Sequence, residues 1–177
     1  ASLEKGFTPA TIINDAPIYF DAAQTGSKAW EPKNFDGKFG GPIRMRVALA
    51  QSKNLASIRI LQAIGPRYAQ DYIARFGFDS NRHPPYLPMA LGAGSVTPLQ
   101  MASGYAIFAN GGYKVEPYFI ERVEDDKGNI VQQVDPLVAG QNATQIIDPR
   151  NAFLMNSMMQ DVIQRGTATA AKQLKRN

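Results

Sequence analysis

The segment from Ile43 to Gly65 most constrains the fold of this chain, because two helical patterns meet in it at a short polar junction. Apolar residues recur at helical spacing on both sides of the junction: Ile43, Val47 and Ala50 before it, and Leu55, Ile58 and Leu61 after it. Gly65 follows the second pattern, and glycine is favoured where a helix ends. The segment therefore predicts two consecutive core helices joined through Ser52, Lys53 and Asn54.

The junction consists of residue types that suit a helix boundary. The side chains of Ser52 and Asn54 compete with helical backbone hydrogen bonds, so both residues favour caps and connections. The simplest interpretation is a polar connection between two helices. Neighbouring side chains do not face each other along a helix, so Ser52 and Lys53 are not expected to form a catalytic pair. We expect Lys53 to point outward.

Composition and charge exclude several classes of function. The 177 residues are 44% hydrophobic, which suits one ordinary core and a single domain. The net charge is +4, but lysine and arginine are scattered, which argues against a nucleic-acid-binding module. Cysteine is absent, which excludes disulfides and cysteine-ligated metals, and the single histidine, His83, cannot build a histidine-rich metal site. We expect His83 at the surface or in packing. No apolar run approaches the roughly eighteen residues of a membrane span.

Turn and cap signals predict further elements along the chain. The loop from Trp30 to Pro42 is rich in glycine, proline and aromatic residues, which indicates a structured loop rather than a linker. Three more helices are predicted: from Pro66 to a stop at Gly77, from a cap at Thr97 to a stop at Gly111, and from Asp148 to Gly166. The helix after Thr97 is rich in small residues and is expected to be central. Tyr118–Glu124 and Ile130–Val134 flank a glycine-containing connection and predict a β hairpin.

Several segments resemble one known family in the same order. The sequence from Ala48 to Ala56 is similar to the Ser-x-Asn motif, one of the three active-site motifs of penicillin-binding proteins, with Ser-x-x-Lys and Lys-Thr-Gly. The other matching segments are Gly6–Thr11 with Asp15–Pro17, Trp30-x-Pro32-x-Asn34, Thr97–Ala102, Phe108–Gly112 and Met158–Ala168. Together they resemble the transpeptidase domain of class A, bifunctional penicillin-binding proteins, closest to the 1A type of Gram-negative bacteria.

The sequence departs from the family pattern at both ends. It contains no Lys-Thr-Gly or Lys-Ser-Gly, and the resemblance places the nucleophile's Ser-x-x-Lys upstream of Ala1. The string Ser2-Leu3-Glu4-Lys5 is therefore not expected to be the nucleophile motif. Residues 1–177 are interpreted as a partial transpeptidase domain, the region between those two motifs, and are predicted to be inactive alone.

The resemblance also implies a fold and roles for three residues. The expected fold is α+β and mainly helical, a fragment of the serine β-lactamase-like fold with one β hairpin, most of its main sheet missing, and an unusually apolar sheet-facing side. Ser52 would bridge the two motif lysines and relay a proton, and Asn54 would hold a substrate amide or the side-chain amide of a penicillin. Trp30 would line the cleft or belong to the core.

Partners and location follow from the same resemblance. The parent is expected to be a membrane-anchored serine D-Ala-D-Ala transpeptidase at the periplasmic face of the inner membrane, with a glycosyltransferase domain and without a cofactor. Its partners would be peptidoglycan stem peptides, β-lactam antibiotics and the missing parts of its own domain, and no nucleic acid. The alternatives are a D,D-carboxypeptidase or β-lactamase of the same fold, or a non-catalytic structural or binding subdomain.

Overall fold

The structure is a computed structural model that describes residues 1–25 and 27–175. The described residues form six α-helices and three two-stranded antiparallel sheets. The helices are α1 (Ala22–Thr25), α2 (Met45–Ala50), α3 (Asn54–Ile64), α4 (Pro66–Ala74), α5 (Pro98–Ala109) and α6 (Pro149–Arg165). The strands are β1 (Ile12–Asp15), β2 (Gly41–Arg44), β3 (Tyr113–Lys114), β4 (Arg122–Glu124), β5 (Ile130–Gln133) and β6 (Thr144–Gln145). The mainly helical α+β fold predicted from the sequence is confirmed.

The strands form three pairs, of which the sequence predicted one. The predicted hairpin is present as β4 and β5, and β1–β2 and β3–β6 are additional pairs. The helical pattern that the sequence suggested from Ile43 is wrong at its start, because Ile43 lies in β2 opposite Ile13. Ile43 is β-branched, which suits a paired strand, and the helix begins only at Met45.

The core lies where α2 and α3 pack against β1 and α6. The side chains of Leu55, Ile58 and Met158 are each at most 1% exposed. At the far end of α6 the chain approaches α2 closely, since Thr167 N–H donates to the Ala50 carbonyl at 3.1 Å. A Cβ on Gly166 would lie 2.1 Å from that same carbonyl oxygen, so only glycine fits there.

An ion-pair cluster joins the same two helices. The Arg46 guanidinium lies 2.8 Å from the Asp161 carboxylate and also donates to the Ser157 carbonyl. Arg165 reaches the same carboxylate at 2.6 Å. The hydrogen bond from Arg165, and then that from Arg46, holds the pKa of Asp161 below its ordinary value.

Helix α5 is packed on one side only in the part of the chain described. Its N-terminus has the predicted capping box between Thr97 and Gln100, and Ile107 is fully buried. Met101 and Tyr105, however, are 43% and 57% exposed. They line an apolar groove of about 480 Å³ with residues of α3, α4 and α6, including Ile60, Ile64, Tyr72 and Met155. The expected central helix therefore has one apolar flank open to solvent.

The burial of Ile58 predicts a large loss of stability on truncation. Ile58→Ala removes fully buried methylene and methyl groups, so the free energy of unfolding should fall by about 2–5 kcal/mol. The matched control is Ile120→Ala, at a residue that is 64% exposed, and it should change the free energy of unfolding by less than about 0.5 kcal/mol. Urea unfolding followed by circular dichroism measures both variants, and equal effects would contradict the assigned core.

The Asp161 cluster predicts a specific acid sensitivity. Because the pKa of Asp161 is lowered in the folded chain, its contribution is fully present above about pH 4 and is lost as the pH falls through the folded pKa. Asp161→Asn should lower the melting temperature at pH 7, and the difference from the unmodified chain should shrink toward pH 2. A constant difference across this range would contradict the role given to the carboxylate.

Candidate active site

The turn at Ser52 is a Schellman motif that carries a serine where glycine is usual. Helix α2 ends at Ala50, and Ser52 N–H donates to Leu49 O at 3.1 Å while Lys53 N–H donates to Ala48 O at 2.9 Å. The φ angle of Ser52 is 54°, in the left-handed region. This conformation costs a non-glycine residue roughly 1–2 kcal/mol. The Ser52 side chain is exposed, so its strained position turns the hydroxyl toward solvent.

The prediction that Lys53 points outward is wrong. Lys53 is 8% exposed, and its Nζ lies 2.8 Å from Asp36 Oδ2 and 3.9 Å from Asp15 Oδ2. The prediction applied the side-chain geometry of a continuous helix. Lys53 instead has extended backbone angles as the N-cap of α3, directly after the reversal at Ser52. Its side chain therefore turns inward.

A buried carboxylate and a buried amide complete this inner layer. Asp15 is fully buried and accepts hydrogen bonds from Asn34 Nδ2 at 2.7 Å and from Gly40 N–H at 2.9 Å. Asn34 Nδ2 also donates to Lys38 O, and Asn34 Oδ1 accepts from Leu55 N–H at 3.3 Å. Leu55 is in the first turn of α3, whose own N-cap makes no side-chain bond. Asn34 therefore caps this helix from a distant loop.

Asn54 is partly exposed and is held by the same loop. Its Nδ2 lies 2.9 Å from the Lys33 carbonyl oxygen. A carbonyl oxygen can only accept, so the amide nitrogen must face it, which fixes the orientation of the carboxamide. One N–H and the Oδ1 atom of Asn54 stay available to a ligand. The backbone therefore brings Ser52 and Asn54 to one junction, with their local orientation set by residues 33–38.

Trp30 belongs to a different cluster. Its ring stacks on Phe20 with a centroid distance of 5.5 Å, and the two residues exchange backbone hydrogen bonds. The pair packs with buried Leu55 and Ile58, and Trp30 also lines a second cavity beside Tyr86. Trp30 therefore packs against the core, which is one of the two placements expected from the sequence. Its role in substrate binding stays a prediction.

Three side chains with no expected catalytic role contact partners other than Ser52–Asn54: those of Ser2, Lys5 and His83. Ser2 Oγ contacts Met45 Sδ at 4.0 Å, while Lys5 Nζ lies over the Tyr68 ring at 4.3 Å. This arrangement pairs Ser2 and Lys5 with other partners. His83 is 8% exposed and meets the Phe78 ring edge-on, so the packing alternative is the one observed.

The supporting roles of Asp15, Asn34 and Asp36 were not predicted. Asp15 and Asn34 lie in segments that resemble the family, and the composition of the Trp30–Pro42 loop indicated structure, but neither signal indicated their partners. Across residues 1–25 and 27–175, no group of three or more His, Asp or Glu side chains could hold a metal ion. Within the same ranges, no helix has both the length and the hydropathy that crossing a bilayer requires.

Sequence comparisons match the chain to one family over almost its whole length. The family model described as "Penicillin binding protein transpeptidase domain" matches residues 1–176. The chain is 54% identical over 177 residues to penicillin-binding protein 1A of Neisseria flavescens, covering all of this chain and 22% of that protein. It is 38% identical over 221 aligned positions to penicillin-binding protein 1A of Pseudomonas aeruginosa, covering 99% of this chain and 27% of that protein. The chain thus spans about a quarter of the length of these curated relatives.

Structural comparisons agree with the sequence matches. The crystal structure of penicillin-binding protein 1A from Haemophilus influenzae superposes with a TM-score of 0.92 at 33% identity, covering 97% of this chain and 30% of that one. An imipenem acyl-enzyme complex of penicillin-binding protein A from Mycobacterium tuberculosis shares the fold, with a TM-score of 0.78 at 18% identity over 92% of this chain and 41% of that one. With its fold, its Ser52–Asn54 junction and a family match across 176 residues, this chain belongs to the penicillin-binding protein transpeptidase family.

Proposed function

We propose that this chain is the middle of the transpeptidase domain of a longer penicillin-binding protein of the 1A type. That enzyme cross-links peptidoglycan stem peptides through a serine acyl-enzyme and is acylated by β-lactams. The observation that carries the proposal is the exposed Ser52 hydroxyl on a left-handed turn, two residues before a carboxamide that the Lys33 carbonyl orients. A strained, solvent-facing serine beside an oriented amide is costly for stability and useful for a reaction.

The reaction begins with a nucleophilic serine from outside residues 1–177. Its hydroxyl attacks the carbonyl between the two terminal D-alanines, the peptide bond breaks, and the last D-alanine leaves as a free amine. The acyl group then passes to the amine of a neighbouring stem peptide. Ser52 can accept a proton on its oxygen and donate its own, which suits a relay to the departing nitrogen. The free N–H and Oδ1 of Asn54 would hold the substrate backbone.

The apolar groove beside α5 supports a longer domain. Met101, Tyr105 and the residues around them leave an apolar opening in a chain that spans only 22% of a relative 54% identical to it. An open groove of this composition is typical of a surface that other polypeptide covers. The proposal therefore assigns the groove to further parts of the same transpeptidase domain. It also assigns the parent a membrane anchor, a glycosyltransferase domain and a periplasmic location.

The first test concerns the 177-residue chain alone. Because the nucleophile is assigned to polypeptide outside it, the purified chain should acquire no covalent label from a fluorescent penicillin. The longer protein that contains it should be labelled at one site, and a boiled sample controls for non-specific label. Stoichiometric labelling of the 177-residue chain would contradict the assignment.

The second test separates the hydroxyl of Ser52 from its backbone conformation. Ser52→Gly suits the left-handed φ of 54° and should leave the melting temperature unchanged or raise it, while Ser52→Ala keeps the strain. In the longer protein both variants lack the relay hydroxyl, so both should lose about 100-fold or more in acylation rate. If Ser52→Gly kept full acylation, the proton relay would be wrong.

The third test separates the transpeptidase from hydrolases of the same fold. With stem peptides and an acceptor amine, the longer protein should yield cross-linked dimers in addition to released D-alanine. Mass spectrometry of the products distinguishes dimers from hydrolysed monomers. Hydrolysed monomer alone would favour a carboxypeptidase, and hydrolysed penicillin with multiple turnovers would favour a β-lactamase.

A further inference from the structure

Lys53 is a buried cation that the proposed reaction does not use. Its side chain is 10% exposed and lies between Asp36 Oδ2 at 2.8 Å and Asp15 Oδ2 at 3.9 Å. A buried ammonium is unfavourable unless it is paired and hydrogen-bonded. Asp15 is itself fully buried and hydrogen-bonded by Asn34 and Gly40, so the carboxylate nearest the core is fixed in place. The ammonium therefore has one defined position.

The position of the ammonium constrains the residue before it. Lys53 N–H makes the longer bond of the Schellman motif, to Ala48 O, so the Lys53 backbone follows directly from the left-handed angle at Ser52. Because both the backbone and the side chain of Lys53 are held, the backbone φ and ψ angles that Ser52 can adopt are restricted. The backbone hydrogen bond and the ion pairs of Lys53 can therefore offset the strain at Ser52.

The loop from Trp30 to Pro42 makes three contacts to the junction. Lys33 O accepts from Asn54, Asn34 Oδ1 accepts from Leu55 N–H, and Asp36 pairs with Lys53. Of these three contacts, the one between Asp36 and Lys53 joins two charged groups. Loss of that contact would remove the one charged link between this loop and the turn, and neither charged group is Ser52 or Asn54.

We propose that Lys53 is a positioning residue for Ser52 and Asn54. Its ammonium, held by Asp36 and Asp15, keeps Ser52 in the left-handed conformation and sets the direction of its hydroxyl relative to the Asn54 carboxamide. This inference rests on the proposed function, but it makes a claim about conformation that can be tested separately. A purely structural ion pair would stabilise the fold without affecting the angle at Ser52.

The conformational test uses crystal structures of the longer protein and its variants. Ser52 should have a positive φ in the unmodified protein and in Lys53→Arg. In Lys53→Met the φ of Ser52 should move out of the left-handed region. A left-handed Ser52 that persists in Lys53→Met would overturn the proposal, whatever the activity of the longer protein.

The kinetic test uses the longer protein and a fluorescent penicillin. Lys53→Met should lower the acylation rate constant by about tenfold to a hundredfold with little change in the initial binding constant, because misplacement of a reacting group acts on the chemical step. Lys53→Arg should restore part of the rate. The control is Arg46→Met, which breaks the 2.8 Å ion pair with Asp161 between α2 and α6 and should leave acylation unchanged at a similar loss of melting temperature.

A double variant shows whether Lys53 acts through Ser52. If it does, Lys53→Met should cost little further acylation once Ser52→Ala is present. Equal losses for Lys53→Met and Arg46→Met at matched melting temperatures would overturn the positioning role. Absence of labelling in the unmodified longer protein would instead overturn the proposed function, and the conformational test would still decide the role of Lys53.

Discussion

The structure around the junction depends on the pairing of the buried Lys53 ammonium with two carboxylates, Asp36 at 2.8 Å and the buried Asp15 at 3.9 Å. Asp15 ends β1, and Lys53 stands between α2 and α3, so this pairing joins a strand to the helix connection across 38 residues of sequence. Transfer of either charge from water into the core is unfavourable by itself. The arrangement is stable because Asn34, Gly40 and Asp36 supply the remaining hydrogen bonds and charge. Removal of one member would leave another unpaired, so these residues act as a unit.

The helices were predictable because their signals are local. Thr97 and Gln100 are three residues apart, Gly65 follows α3 directly, and the apolar spacing from Leu55 to Leu61 lies within one element. Each of these features is decided by interactions inside one helix or at its ends. The hairpin of β4 and β5 was predictable for the same reason, since its two strands are separated by a short connection.

The supporting residues of the site were not predictable because their partners are distant. Asn34 caps a helix that begins 20 residues later, and only the folded loop shows which N–H it meets. Lys53 was misplaced because the left-handed angle at Ser52 ended the helical geometry on which the prediction relied. Strand β2 was taken as helix because its pairing partner, β1, lies about 30 residues upstream. In each case a long-range contact outweighed a local preference.

The exposed hairpin of β4 and β5 is a site where the chain can tolerate an insertion. All seven strand residues are exposed, and the turn is closed by hydrogen bonds among residues 125–129, so the hairpin adds little to the packed interior. A change of length there should leave the helices undisturbed, because loop closure becomes only slightly less favourable as a loop grows. The hairpin is accordingly a tolerant place for an inserted reporter or epitope, whereas the loop from Trp30 to Pro42, with three contacts to the junction, is an intolerant one.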